Sequence, residues 1–538
     1  MRIHSRSSPP SAHSCAVLPS NRDLTRVCGG TMESGSTTRK GAPVVLLAAA
    51  FVAYLFALAV YRLYLHPLRK FPGPRIAAVS TLYEAYFEIW LNGQYSREIA
   101  RLHDLYGPII RVTPNELHIR DSRFFDEFYG KNLHLDKEGW DVKFGSEGGV
   151  LTTVNAAVHK RRRAALSPMF SRRSILDLIH IIHRHIDTLS ARLREAEARK
   201  EPINLTLAFP ALTGDIIMDY FFGFNYAQLK HPEFESFHEA FVKIGGTGHV
   251  ATQIPWIYPI MNSIPDSITT WLQPAAKPIL DFRRDQRTLI SRTLNGETLK
   301  TNDAKRTVFQ ALLSSSLPAE DKTPPRLAQE AQIIIGAGVE TTAFTLTIAA
   351  YHIIHTPHIY ARLHADLVAA FPDATAPMDL HTLEQIPYLR ACITEALRLS
   401  YGLSARNPRT RRTQMVYGDW IVPAGTCVSM TIPTVSHDET LFRDSHTYSP
   451  ERWLDAPHTA DGVPLERFMV CFGRGTRACL GVNLAWTELY LALGALFRRF
   501  KFVLYEPDVR DVRVGHDFFI PVAWVGGKGV RAWVESVG

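Results

Sequence analysis

Residues 42–61, APVVLLAAAFVAYLFALAVY, are twenty consecutive residues without a charge. A helix of that length reaches about 30 Å, the thickness of a bilayer's hydrocarbon core. A cleaved secretory signal is the other reading, but its apolar stretch is usually shorter and a small-residue cleavage site should follow, which none does here. The expectation is a retained transmembrane anchor over 41–61. Arg39 and Lys40 flank one side and Arg62, Arg69 and Lys70 the other, so positive charge does not decide its orientation. The preceding 1–40 are rich in Ser, Arg, Gly and Pro, lack periodicity, and read as a disordered tail or processing segment. Met32 lies just ahead of the apolar run, so 1–31 are read as an over-long gene start. Without them Arg2, Arg6, Arg22, Arg26 and Asp23 (net +3) are lost and the formal charge falls from +8 to +5.

After the anchor, Pro72-Gly73-Pro74 stops helix continuation, and 62–74 read as a stiff Pro-rich hinge. From Arg75 to Gly538 the sequence reads as having no second hydrophobic span, no low-complexity linker and no internal repeat, so 75–538 read as one body. Helical apolar spacing covers Ile175–Arg194, Pro324-Pro325 opens another apolar stretch ending at Thr356-Pro357, and Leu383–Leu399 and Val482–Phe500 read as helices. Strand-like segments are Gly107–Arg120, Val416–Ile432 and Phe502–Trp533. The fold class is mainly α with minor β-sheets. The charge excess is too diffuse for nucleic acid and suits an acidic partner or an anionic membrane face.

Six cysteines in 538 residues imply no disulfide framework. One of them lies in Phe472–Gly481, FGRGTRACLG, ahead of an amphipathic helix. Gly473 and Gly475 permit a tight backbone path. Cys479 stands at the helix start, where unpaired N–H groups favour a thiolate, as do Arg474 and Arg477. Such a thiolate is a nucleophile, a redox thiol or a metal ligand; without CxxC or Cys/His spacing nearby, zinc is disfavoured.

Here the chain resembles the cytochrome P-450 haem-thiolate family, whose loop reads F-x-x-G-x-R-x-C-x-G. Phe472, Gly475, Arg477, Cys479 and Gly481 fill every position. The resemblance implies the P-450 fold behind a single N-terminal transmembrane helix, and haem b with Cys479 as axial iron ligand. A thiolate ligand favours O–O cleavage. By the same resemblance Arg477 contacts a haem propionate, Phe472 packs beside the thiolate, and Gly481 allows close approach. Cys471 reads as a small buried hydrophobe.

Further motifs follow in the family's order. Glu395 and Arg398 share a helix face at i, i+3, and Pro450-Glu451-Arg452-Trp453 resembles a P-E-R-F segment with Trp for Phe. Family members join these in a buried cluster, so Glu395, Arg398 and Arg452 are expected to form a structural lock. In GAGVETTAF, the match of Ala337, Gly338, Glu340 and Thr341 to A/G-G-x-D/E-T implies a local helix opening at the glycine. It also implies a hydrogen bond from Thr341 to the oxygen site and proton relay by Glu340. His159 and Arg163 match H-x-x-x-R and are expected at propionates, as is Arg406. Lys160, Arg161 and Arg162 are read as facing solvent, toward an acidic reductase.

The resemblance covers about Tyr64–Gly538. It extends in HPLRKFPGP and HKRRRAALSPMFS to a fungal subgroup that includes trichodiene-oxygenase-like enzymes of specialised metabolism. It implies a monooxygenase of the endoplasmic reticulum membrane, single-pass, with a cytosolic body in which the Asn204-Leu205-Thr206 sequon stays unmodified. The chain lacks a dinucleotide fingerprint, so electrons from NADPH must come through a separate NADPH-cytochrome reductase. Implied partners are that reductase, O₂, the membrane and an apolar small molecule, with no nucleic acid. Substrate contacts are expected near Gly139–Leu151, Ala208–Ile244, Ile333–Phe344, Leu403–Asn407 and Phe518–Pro521. Rival readings are a haem-thiolate isomerase or dehydratase, and a non-catalytic haem carrier or sensor. Glu340-Thr341 argues against both.

Overall fold

The computed structural model describes residues 42–130, 135–139, 146–254, 256–295, 297 and 306–537. The expected tail 1–40, with Met32, and residues 140–145 of the expected substrate loop lie outside the described residues. Helix α1, Ala42–Val60, continues as a wider turn through Leu65, and none of Pro43–Leu65 is buried. The chain divides after Ala57, and the second unit, from Leu58, holds every element described below.

Within that unit the principal helices are α2 (Ala156–Leu166), α3 (Ile179–Arg199), α4 (Leu205–Phe222), α5 (His238–Gln253), α6 (Pro324–His355), α7 (Pro387–Ser400) and α8 (Val482–Arg499). Their limits follow from local chemistry. Asn155 caps α2, accepting from the Ala157 and Val158 N–H groups. Pro324 and Pro325 open α6, where missing N–H groups cost nothing. The helix expected over Leu383–Leu399 is interrupted: a short helix ends at Glu384 and α7 starts at Pro387, because the residue before a proline avoids helical geometry.

The core is helix on helix. α6 packs along α4 and also against α7 and α8. α4 and α6 are long and apolar enough to cross a membrane, yet both are largely buried in the body, which is why they are apolar nearly all round. Five short strands form one sheet in the order Ile109–Thr113, Glu116–Ile119, Cys427–Ser429, Arg409–Thr410, Asp136–Lys137, with only Glu116–Ile119 and Cys427–Ser429 parallel. Phe500–Tyr505, Arg531–Ser536 and Ile203–Asn204 make a second sheet, and Val514–Phe518 with Ile520–Ala523 a hairpin.

The Pro-rich segment packs on this body. Leu68 and Phe71 are buried, and Phe71 stacks on Trp420 at 4.9 Å. The Arg111 N–H donates to the Pro72 carbonyl at 2.7 Å. Gly73 has φ +145°, and a Cβ there would lie 2.5 Å from the Arg111 carbonyl oxygen, so only glycine fits this approach.

One buried charge ties α7 to the segment before the cysteine loop. Glu395 and Arg398 are both fully buried and doubly bonded, Nε–Oε2 at 2.9 Å and Nη2–Oε1 at 2.8 Å. Arg398 Nη1 also donates to the Ser436 and Ser445 carbonyls. Glu395 further accepts from the Ser449 N–H at 3.0 Å, Arg452 Nε at 3.5 Å and Trp453 Nε1 at 2.8 Å. The tryptophan that stands where the family pattern has phenylalanine is therefore a fifth donor to this carboxylate. Glu395→Ala leaves Arg398 buried and unpaired, and is expected to cost about 3–5 kcal/mol, with little haem-loaded protein on expression. Trp453→Phe removes one hydrogen bond to a charge, about 1.5–3 kcal/mol, and should lower the thermal midpoint while haem content is kept. Normal haem occupancy in Glu395→Ala would contradict this account.

Candidate active site

The loop before α8 is built around its glycines. Gly473 and Gly475 have φ +67° and +69°, and a Cβ on Gly475 would sit 2.0 Å from the Tyr129 carbonyl oxygen. The Cys479 N–H closes the loop on the Phe472 carbonyl at 2.7 Å. Gly481 precedes α8, where a Cβ would lie 3.9 Å from Cys479 Sγ. The thiol is exposed, but to an interior cavity of about 320 Å³ that it borders. Burial pushes its pKa up, against the Gly481 N–H and Arg163, which pull it down. The loop's own arginines, expected to favour the thiolate, turn elsewhere. Arg474 holds Asp126 at 2.9 Å and carbonyls of its own loop, and Arg477 donates to the Thr153 and Val154 carbonyls at 2.7 and 2.6 Å. The cation acting on the thiol is Arg163, whose Nη1 donates to the Ala478 carbonyl at 2.7 Å.

Basic side chains gather on one edge of the cavity: Lys137, His159, Arg163, Arg409 and Arg477. Burial and then the neighbouring Arg477, Lys137 and Arg163 depress the His159 pKa to about 3. Burial and then Arg409 lower that of Arg477 to about 9. The cavity lining contributes one carboxylate among the described residues, Glu330, and it is bonded to Arg326 at 2.5 Å. Arg406, expected on this edge, is a correction: it is ion-paired with Glu84 and with Glu116 (2.7 Å for the latter) and lies over the Tyr95 ring. Arg409, in the strand Arg409–Thr410, borders the cavity instead. Arg409 and Lys137 were missed because each sits in a strand of two residues that no periodicity marks. Lys160 and Arg161 are exposed, as expected; Arg161 also reaches the buried Asp321 at 2.7 Å, and Arg162, expected to face solvent, is half-buried and pairs with the same carboxylate at 2.8 Å.

On another side of the cavity α6 presents Ala337, Gly338 and Thr341. The helical assignment is continuous from Pro324 to His355, so the local opening expected at Gly338 does not occur. The glycine's space is filled from α4: an added Cβ would lie 2.4 Å from Ile217 Cδ1. Gly336 likewise admits the Phe241 ring, 3.0 Å from where its Cβ would be. These glycines allow close packing. Thr341 Oγ1 donates to the Ala337 carbonyl at 2.8 Å. Glu340 is buried, with Oε2 2.7 Å from His238 Nδ1. Residues from each expected substrate stretch meet here, among them Val150, Phe241, Ile333, Leu403 and Phe519.

An interior thiol on one wall, apolar side chains around it and a basic edge suit a flat, apolar macrocycle that carries iron and carboxylates. The fold and this donor set define a haem-thiolate protein. The Cytochrome P-450 family profile matches residues 85–520. The cytochrome P-450 monooxygenase sdnE of Sordaria araneosa is 41% identical over 505 residues, 91% of this chain and 98% of that protein. The monooxygenase tpcC of Cochliobolus heterostrophus is 37% identical (91% and 97%), and the tryptophan 6-hydroxylase fscE of Fusarium equiseti 37% (90% and 96%). The chain belongs to the cytochrome P-450 family and is a P-450 monooxygenase, whose cofactor is haem b on a cysteine thiolate.

His159 carries a pH signature. Its folded pKa lies below the unfolded value, so the unfolded chain binds the extra proton. In protein prepared without haem, stability is therefore expected to fall as pH drops from 6.5 toward about 3. His159→Asn should flatten that slope in urea-unfolding midpoints, and an unchanged slope would contradict the buried neutral imidazole.

Proposed function

We propose that the chain is a membrane-anchored monooxygenase that oxidises an apolar small molecule in fungal specialised metabolism, with Cys479 as the iron ligand. The observation that carries this reading is one cavity bordered by the Cys479 thiol, by Thr341 and by a basic edge of Lys137, His159, Arg163, Arg409 and Arg477. Arg477, Arg409, Arg163, Lys137 and His159 hold the propionates, Phe472 and Gly481 frame the ligand, and the Glu395–Arg398–Arg452 network keeps the loop in register. Haem, when bound, supplies the oxidation chemistry, using O₂ and electrons from NADPH through a separate reductase. The chain's residues do the rest. Phe241, Ile333 and Phe519 orient the substrate and exclude water, Thr341 holds a proton at Oγ1 beside the cavity, and Glu340 passes protons to it.

α1 serves as the anchor, in the endoplasmic reticulum membrane, with the body in the cytosol. Asn204 is bound in a strand, its Nδ2 donating to the Lys528 carbonyl at 3.2 Å, in keeping with an unmodified sequon. The relative named as a tryptophan 6-hydroxylase supports hydroxylation as the reaction type.

The test is co-expression of the full chain with a fungal NADPH-cytochrome reductase, followed by untargeted metabolite profiling. The expected outcome is a reductase-dependent product bearing added oxygen, and a haem-thiolate band in the reduced carbon-monoxide spectrum. Both should vanish in Cys479→Ala, and Arg409→Leu should speed haem transfer to apomyoglobin. A haem-thiolate band that survives in Cys479→Ala would remove the assignment.

A further inference from the structure

The hairpin of Val514–Phe518 and Ile520–Ala523 brings a strained residue to the wall of the thiol cavity. Asp517 pairs with Pro521 and Phe518 with Ile520, so the two strands join through one residue, Phe519. Phe519 stands at φ +76°. A bulky side chain adopts that left-handed conformation only where its surroundings impose it. The ring is buried, and it borders the cavity beside Leu151 and Leu403.

What imposes the conformation is Asp517, two residues earlier. Its carboxylate is buried. Oδ1 accepts the Phe519 N–H at 3.0 Å and the Ser404 hydroxyl at 2.8 Å, and Oδ2 accepts the Ser96 hydroxyl. Pro521, opposite Asp517, has no N–H to give to the ladder, so the turn takes its closing bond from a side chain. The Phe519 carbonyl in turn accepts the Ser404 and Ala405 N–H groups at 3.2 and 3.4 Å. Both the N–H and the carbonyl of the strained residue are thereby held.

The hairpin is fixed to two further segments. The Asp517 N–H donates to the Gly93 carbonyl at 3.0 Å, Gln94 Nε2 donates to the Gly515 carbonyl at 2.9 Å, and His516 Nδ1 lies 2.8 Å from the Asn92 carbonyl oxygen. Gly93 has φ +75°, and a Cβ there would sit 2.6 Å from the Asp517 carbonyl oxygen. Ser96 lies in the first turn of the helix Tyr95–Tyr106 that follows. On α5, a Cβ on Gly245 would lie 2.9 Å from the Phe518 carbonyl oxygen. Backbone thus meets the hairpin closely from both segments.

We propose that Asp517 is a positioning residue that sets the shape selectivity of the thiol cavity by holding Phe519 in its left-handed conformation. Asp517 is not among the described residues that border the cavity, so it acts only through the ring it holds. Without the carboxylate, the Phe519 backbone relaxes to negative φ, which an L-residue prefers, and the ring leaves the wall. The hydroxyls of Ser404 and Ser96 are the second half of the clamp. The inference rests on the reading of this cavity as the haem and substrate site.

The test titrates full-length holoenzyme, without reductase, with imidazole and 4-phenylimidazole, two nitrogen ligands of haem iron whose binding shifts the haem absorption band. Wild type, Asp517→Ala, Asp517→Asn, Phe519→Ala and the double variant Asp517→Ala/Phe519→Ala are compared. In Asp517→Ala and in Phe519→Ala, 4-phenylimidazole should bind about tenfold more weakly, the scale of one lost aromatic contact, with imidazole affinity unchanged. Asp517→Asn keeps an acceptor for Ser404 and the Phe519 N–H, gives Ser96 a donor, and should bind both azoles as wild type does. The double variant should match Phe519→Ala alone, because residues that act through one another are not additive. Ser404→Ala removes one bond of the clamp and should show the same pattern at smaller size, which keeps the test open if Asp517→Ala loads no haem. Additive losses, equal losses for both azoles, or wild-type binding of 4-phenylimidazole in Phe519→Ala or in both Asp517→Ala and Ser404→Ala would overturn the positioning role while sparing the cavity reading. No band shift with imidazole in wild type would overturn the cavity reading itself.

Discussion

The rest of the structure depends on one carboxylate. Glu395 is fully buried beside the equally buried Arg398, and a charge in that position survives only if every lone pair is used. Its five donors come from α7 and from the stretch Ser449–Trp453. That stretch leads within twenty-six residues (479 − 453) to Cys479. Satisfying the charge therefore fixes where the chain leaves α7, where it returns, and from what direction the cysteine loop approaches the cavity. An apolar cluster of the same volume would pack as well but would not specify that register. The Trp453 indole shows the constraint acting locally, since a ring that fills the pattern's aromatic position also supplies a hydrogen bond that phenylalanine lacks.

The same contrast between local and distributed information explains what could be read ahead of the structure. The cysteine loop and the Glu340-Thr341 pair are contiguous, so their residue types and spacing carry the chemistry. The boundaries of α6 were legible because prolines stand at both ends. The basic edge of the cavity was only half legible. His159 and Arg163 lie on one helix face, whereas Lys137 and Arg409 arrive from two-residue strands whose positions are set by sheet pairing. Arg406 and Arg409 differ in role because Glu84 and Glu116 hold the first away from the cavity that the second borders. Gly338 illustrates another limit. A missing side chain reads equally as an opening or as close packing, and only the partner helix, with Ile217 in the gap, decides.

Electrostatics in the cavity divide into two unlike halves. At the thiol, burial wins over one cation and one N–H, and the proton is held more tightly than in a free cysteine. At the edge, burial works on bases and loosens their protons, His159 and Arg477 most clearly. One ligand that brings both a metal cation to the sulfur and carboxylates to the bases relieves both halves at once. On the proposed reading the whole cofactor would be favoured over either charge alone, while Arg474 is occupied with Asp126 and Arg477 with the Thr153 and Val154 carbonyls.

Thr341 borders two cavities, the one that holds the thiol and a smaller one of about 220 Å³. Apolar side chains such as Phe241 and Ile333 make the larger cavity inhospitable to water chains, so protons crossing it would have to displace substrate. The smaller cavity carries hydroxyls and carboxylates and ends in the buried Glu340 oxygen. α5 contributes Phe241 to one and His238 to the other.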